Sequence, residues 1–110
     1  MHKRVLYRHI EKTPVLEEFT TKHLEKIAQA LKSEPSPIYI DFTLQAYPDH
    51  AHNEAEIIVK TPHYDLVAHK EGPDLYQEIN KVTETMLQEI RNAKEEKIKK
   101  YKKDDYIKTA

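Results

Sequence analysis

The chain has 110 residues, with 18 Lys and Arg against 19 Asp and Glu, a net charge of -1 and no cysteine. That length points to one domain, and the absence of cysteine excludes disulfides, thiolate metal sites and thiol catalysis. The N-terminus, Met1-His2-Lys3-Arg4-Val5, has no apolar run. No signal peptide or spanning helix is therefore expected, and the chain reads as soluble and cytoplasmic.

Residues 3–8 read as a first strand, with Val5 and Tyr7 on one face. Thr13-Pro14 then opens a helix over 14–32, Thr13 capping and Pro14 in the first turn, where its missing N–H costs nothing. Leu16, Phe19, Leu24, Ile27 and Leu31 form the apolar stripe of that helix. Ser33-Glu34-Pro35-Ser36-Pro37 ends it, because residues before proline avoid the α region.

From residue 38 the period changes to two. Ile38, Ile40, Phe42 and Leu44 point one way from a strand over 38–46, and Tyr39, Asp41, Thr43 and Gln45 point the other. Strands over 54–60 and 64–70 follow. Their inner faces are Ala55, Ile57 and Val59, then Leu66 and Ala68. One apolar and one polar face per strand predicts helices on a single side of the sheet.

The chain's only glycine lies in the next junction, Glu71-Gly72-Pro73-Asp74-Leu75-Tyr76-Gln77-Glu78-Ile79. Asp74 followed by Gln77 has capping-box logic, and a cap at Gly72 with Pro73 in the first turn is the alternative. A glycine here also fits a backbone that needs φ > 0. Leu75, Ile79, Val82, Met86, Leu87 and Ile90 make the buried stripe of a helix over 74–100. The predicted class is α+β, in the order βαβββα. The domain is expected over residues 1–103, with a short flexible tail over 104–110.

The order of elements, the segment Ile10-Glu11-Lys12-Thr13-Pro14-Val15-Leu16-Glu17-Glu18-Phe19 and the Glu71–Ile79 junction together resemble the ribosome hibernation-promoting factor family. That family includes the ribosome-associated inhibitor, or protein Y, and was once described as modulators of sigma-54. The resemblance runs from about Val5 to Lys100. It implies a fold like a double-stranded-RNA-binding domain, with two helices packed on one face of a four-stranded sheet. It also implies a protein that is not an enzyme and takes no cofactor. Such proteins bind the small ribosomal subunit in the mRNA and tRNA channel, mainly through 16S rRNA backbone, and keep idle ribosomes inactive under stress or in stationary phase. The chain resembles the short class, without a second, dimerising domain, and is expected to be a monomer when free.

The resemblance also implies a basic exposed face on the second helix. The matching positions here are neutral: Thr85, Gln88 and Asn92. Residues 91–110 carry eight basic and four acidic side chains, which leaves +4 there and -5 over the other ninety residues. Phosphate contacts, which position a protein on RNA without reading sequence, are therefore expected at Lys81, Arg91, Lys94 and Lys97. Lys99, Lys100 and the N-terminal Lys3, Arg4 and Arg8 extend the set. A solvated helix end is the plainer reading of the same charge.

Other constellations are weaker. Asp49, His50 and His52 share one turn, but His63 belongs to a turn at the opposite end of the sheet, so no metal site is expected. His9 with Glu11, and His69 with Asp65, are acid–base pairs of a kind common on exposed sheets, and no phosphate-cradling glycine loop is present. Tyr39, Ile58 and Val67 on the open face leave a non-ribosomal alternative, a homodimer through the sheet. No DNA or membrane partner is expected.

Overall fold

In a computed structural model the elements run β1 (His2–Arg8), α1 (Pro14–Ala30), β2 (Tyr39–Tyr47), a short 3-10 turn (Pro48–His50), β3 (His52–Lys60), β4 (Asp65–Gly72) and α2 (Leu75–Thr109). The structure describes residues 1–109, with side chains through Ile98. Of the tail expected over 104–110 the structure describes only the backbone through Thr109, as the end of α2; its side chains, and those of Lys99 and Lys100, lie outside the described residues.

The sheet order is β1-β2-β3-β4. β1 runs parallel to β2, which requires the crossover that α1 supplies. β2, β3 and β4 are joined as antiparallel hairpins. The two-residue period decides what each face carries. Ile40, Phe42, Leu44, Ala55, Ile57, Val59 and Ala68 are buried on the helix side, where Val5, Tyr7 and Leu66 add half-buried area. α2 lies over β3 and β4, and α1 over β2. Ile27 and Leu31 from α1, with Ile79, Val82, Met86 and Ile90 from α2, complete one continuous core. The fold expected from the sequence is the fold observed.

Both helix starts follow from local chemistry. Thr13 Oγ1 accepts from the Leu16 amide at 3.2 Å. Asp74 Oδ1 accepts from the amides of Tyr76 and Gln77 at 3.1 and 3.5 Å, so Asp74 is the cap of α2, and Gly72 is not. At the tip of the β2–β3 hairpin, Ala51 takes the left-handed conformation, φ 47° and ψ 48°. Its amide approaches the Pro48 carbonyl at 3.5 Å, which closes the 3-10 turn.

Two sequence expectations need correction. Gly72 does not have a positive φ; it is the last residue of β4. Its requirement is room. A Cβ there would overlap Glu78 Oε1 and stand 2.9 Å from Glu78 Cδ. Glu78 is a buried side chain of the first turn of α2, and its Oε2 has no hydrogen-bond partner among the described residues.

Phe19, expected between helix and sheet, is only half-buried and sits at the seam between the helices. Its ring meets His23 at 4.4 Å and Tyr76, edge-on, at 4.9 Å. It therefore has less burial to lose than a core phenylalanine.

In urea unfolding, Ile79→Ala is expected to cost about 2–5 kcal/mol, and Phe19→Ala less than the roughly 3–5 kcal/mol of a fully buried phenylalanine. Gly72→Ala meets only the carboxylate end of Glu78 and is expected to cost less than the roughly 1–3 kcal/mol of an overpacked rigid core. Most of that cost should vanish in a Glu78→Ala background, which a double-mutant cycle reads as a coupling between the two positions. Additive effects would contradict the steric account.

Candidate nucleic-acid interface

At about 100° per residue, a helix repeats its outward face every three to four positions. The exposed face of α2 is formed by Gln77, Lys81, Glu84, Gln88, Arg91, Asn92 and Glu95. Two cations and two carboxylates alternate along it. Gln88 Nε2 donates to Asn92 Oδ1 at 2.9 Å, so these two neutral amides satisfy each other on the surface. This face is polar and mixed in charge.

Lys94 and Lys97 turn off that face and are half-buried. Lys94 Nζ donates to the Ala30 carbonyl at 2.6 Å. That carbonyl is one of the last four of α1, which have no partner within their own helix. The last turn of α1 carries no basic residue, so α2 supplies the cation that its negative end favours. Lys97 Nζ donates to His63 Nδ1 at 2.7 Å, in the β3–β4 turn. Glu34 stands 3.5 Å from the same nitrogen. Beside it, burial and the Glu34 carboxylate push the Tyr64 hydroxyl above its ordinary pKa.

The N-terminal cations divide between the two sides of the sheet because neighbours in a strand point oppositely. Lys3 reaches Glu25 on α1 at 2.8 Å. Arg4 pairs with Asp41 on the open face at 3.2 Å. Arg8 is exposed at the end of β1, on the same face as Arg4. The seven expected residues whose side chains are described therefore do not form one patch. Lys81 and Arg91 share the outer face of α2, Lys3 lies beside α1, and Arg4 and Arg8 lie behind the sheet.

A polar seam between the helices escaped the sequence reading. His23, buried on α1, places Nδ1 2.8 Å from the Phe19 carbonyl and Nε2 2.5 Å from Asn80 Oδ1 on α2. The hydroxyls of buried Thr20 and Thr83 donate to the carbonyls four residues back, at 2.8 and 2.7 Å. Thr20 and His23 fall within the helical period of the apolar stripe, and that spacing was the available signal.

A family model described as "Sigma 54 modulation protein / S30EA ribosomal protein" matches residues 4–102. The chain belongs to this family. It is a family of ribosome-modulating proteins and not of enzymes. A search of curated protein sequences gave no match.

Among solved structures, the N-terminal domain of Protein Y from Thermus thermophilus is similar at TM-score 0.66 and 18% identity, over 84% of this chain and 98% of that one. A ribosomal subunit interface protein from Coxiella burnetii is similar at TM-score 0.67 and 24% identity, over 86% and 98%. At these identities the likeness speaks for the fold. This chain thus keeps the family's architecture while its second helix shows a mixed outer face.

Lys94 is expected to act as a tie between the helices. Lys94→Met keeps the aliphatic stem and removes the cation, and should lower stability by about 0.3–1 kcal/mol in thermal unfolding. An unchanged midpoint would show that the Ala30 carbonyl is served equally well by water.

Proposed function

We propose that this chain is a ribosome-associated translation inhibitor. It binds the small ribosomal subunit in the mRNA and tRNA channel through 16S rRNA backbone, and it keeps idle ribosomes inactive under stress. The observation that carries this reading is the family match over residues 4–102. The names of the two similar structures, Protein Y and a ribosomal subunit interface protein, support it. Action in the cytoplasm follows from the proposed partner. No described helix is long and apolar enough to cross a membrane.

In this reading Lys81 and Arg91 make the leading phosphate contacts, because they are exposed on α2 and hold no ion pair among the described residues. Lys3, Arg4, Lys94 and Lys97 join by exchanging their present partners for phosphate, and Arg8, exposed at the end of β1, joins directly. Lys99 and Lys100 extend the track along the helix. Glu84 and Glu95 on the same face oppose a polyanion, so association is weaker and more salt-sensitive than for a helix basic throughout.

The open face favours a second reading. Tyr39 and Val67 are 45% and 52% exposed there, with Ile58 half-buried between their strands. A homodimer through the sheet would cover them.

Co-sedimentation with small subunits over a salt series separates the two readings. The parent is expected to bind, with affinity falling as salt rises. Lys81→Gln with Arg91→Gln should weaken binding and reduce the salt slope by about two, one for each phosphate that is no longer neutralised. A double variant that sediments like the parent at every salt would overturn the assignment of these residues. Self-association insensitive to salt, without ribosome binding, would favour the dimer.

A further inference from the structure

Strands β3 and β4 carry the same short pattern, His52-x-Glu54 and His69-x-Glu71. Alternation puts all four side chains on the open face, away from the helices. The antiparallel register sets Glu54 directly opposite Glu71. Like charges directly opposite each other across a strand pair are destabilising, so this pair calls for a cation between or beside the carboxylates.

Nearby side chains supply part of that charge. His52 Nε2 is 3.0 Å from Glu71 Oε2, and His69 Nε2 is 3.7 Å from Glu54 Oε2. The His52 hydrogen bond holds the Glu71 carboxyl below the ordinary glutamate pKa. Burial and the Glu54 carboxylate on the neighbouring strand push the Tyr47 hydroxyl above its ordinary pKa.

We propose that His52, Glu54 and Glu71 form a binding site for a borderline divalent cation of the zinc type. One ligand atom from each lies within 4.8 Å of the other two. Two ligands on one tetrahedral zinc ion, at about 2.0–2.2 Å each, stand roughly 3.4 Å apart. Rotations of the three surface side chains that move the ligand atoms by about an ångström bring them onto one ion. One imidazole and two carboxylates suit zinc-type ions better than magnesium or calcium, which prefer oxygen alone.

Two of the ligands come from one strand and the third from its hydrogen-bonded neighbour, so the backbone fixes their spacing before any ion arrives. His69 lies beside Glu54, outside this group of three. Arg8, which bears on Tyr47 from β1, is a nearby positive charge. It disfavours a cation, so the site is expected to be of moderate affinity. The site lies on the face opposite the helices, away from Lys81 and Arg91, the leading phosphate contacts of the proposed function.

The sequence grouping of Asp49, His50, His52 and His63 differs from this one. His50 is exposed in the 3-10 turn and His63 lies in the β3–β4 turn. Only His52 is shared, and the strand register brings Glu71 to it.

Calorimetric titration of the full chain with zinc chloride tests the proposal, with cobalt chloride absorption as a second probe of coordination. One equivalent is expected to bind, and zinc should raise the thermal midpoint. His52→Ala and Glu71→Gln should each weaken binding about tenfold or more and abolish the zinc-dependent rise. His50→Ala and His63→Ala should leave both unchanged. Midpoints measured without metal report whether each variant is folded. No saturable binding by the parent, or binding that survives His52→Ala and Glu71→Gln in folded protein, would overturn the site. So would dependence on His50 or His63.

Discussion

The junction from Gly72 to Glu78, where β4 ends and α2 begins, is the constraint on which the placement of α2 depends. β4 ends at Gly72 and α2 begins at Leu75, so the chain must reverse within two residues and lay its helix back over the strands just formed. The carboxylate of Glu78 passes where any other residue at position 72 would place its Cβ. Pro73 and the Asp74 cap then fix the direction of departure. From that point Ile79, Val82, Met86 and Ile90 descend into the core in order. The same rotation decides which cations of α2 face water and which face α1. A buried carboxylate oxygen without a partner is costly, and the fold retains one here, at the start of its longest helix.

The two sides of the sheet have separate chemistry because a two-residue period permits no mixing. One side is a dry layer closed by the helices. The other is a field of Tyr39, Arg4, Asp41, Val67 and the His–Glu pairs of β3 and β4. Binding through the helices and binding through the open face can thus change independently. Family membership speaks for the architecture as a whole, and the surface residues give this chain its own character.

Much of the fold was legible because its signals are local. Thr13-Pro14 announces a cap, the alternation from Ile38 onward announces a strand, and Gly72-Pro73-Asp74 marks a junction. What was misread depends on contacts made between elements. Gly72 looked like a conformational glycine because the carboxylate beside it belongs to another element. Phe19 looked like core because its spacing is right, yet its neighbours are His23 and Tyr76. The binding surface was harder still. Counting lysines treats them as free charges, whereas Lys94 and Lys97 are half-buried and engaged with Ala30 and His63. Their positions on the helical wheel, turned away from Lys81, Gln88 and Arg91, already carried that information. Glu71 joins His52 only through the strand register, which the sequence does not print.

The bond from Lys94 to the Ala30 carbonyl has a mechanical meaning. Packed helices commonly adjust by sliding small distances past one another, the shear motion of many proteins. Here one ammonium grips the end of α1 from the flank of α2, while His23 and Asn80 hold the two helices together nearer the start of α2. Two anchors along one seam oppose that sliding. They favour one spacing of the helix pair, so whatever lies across both helices has less of the protein to order first.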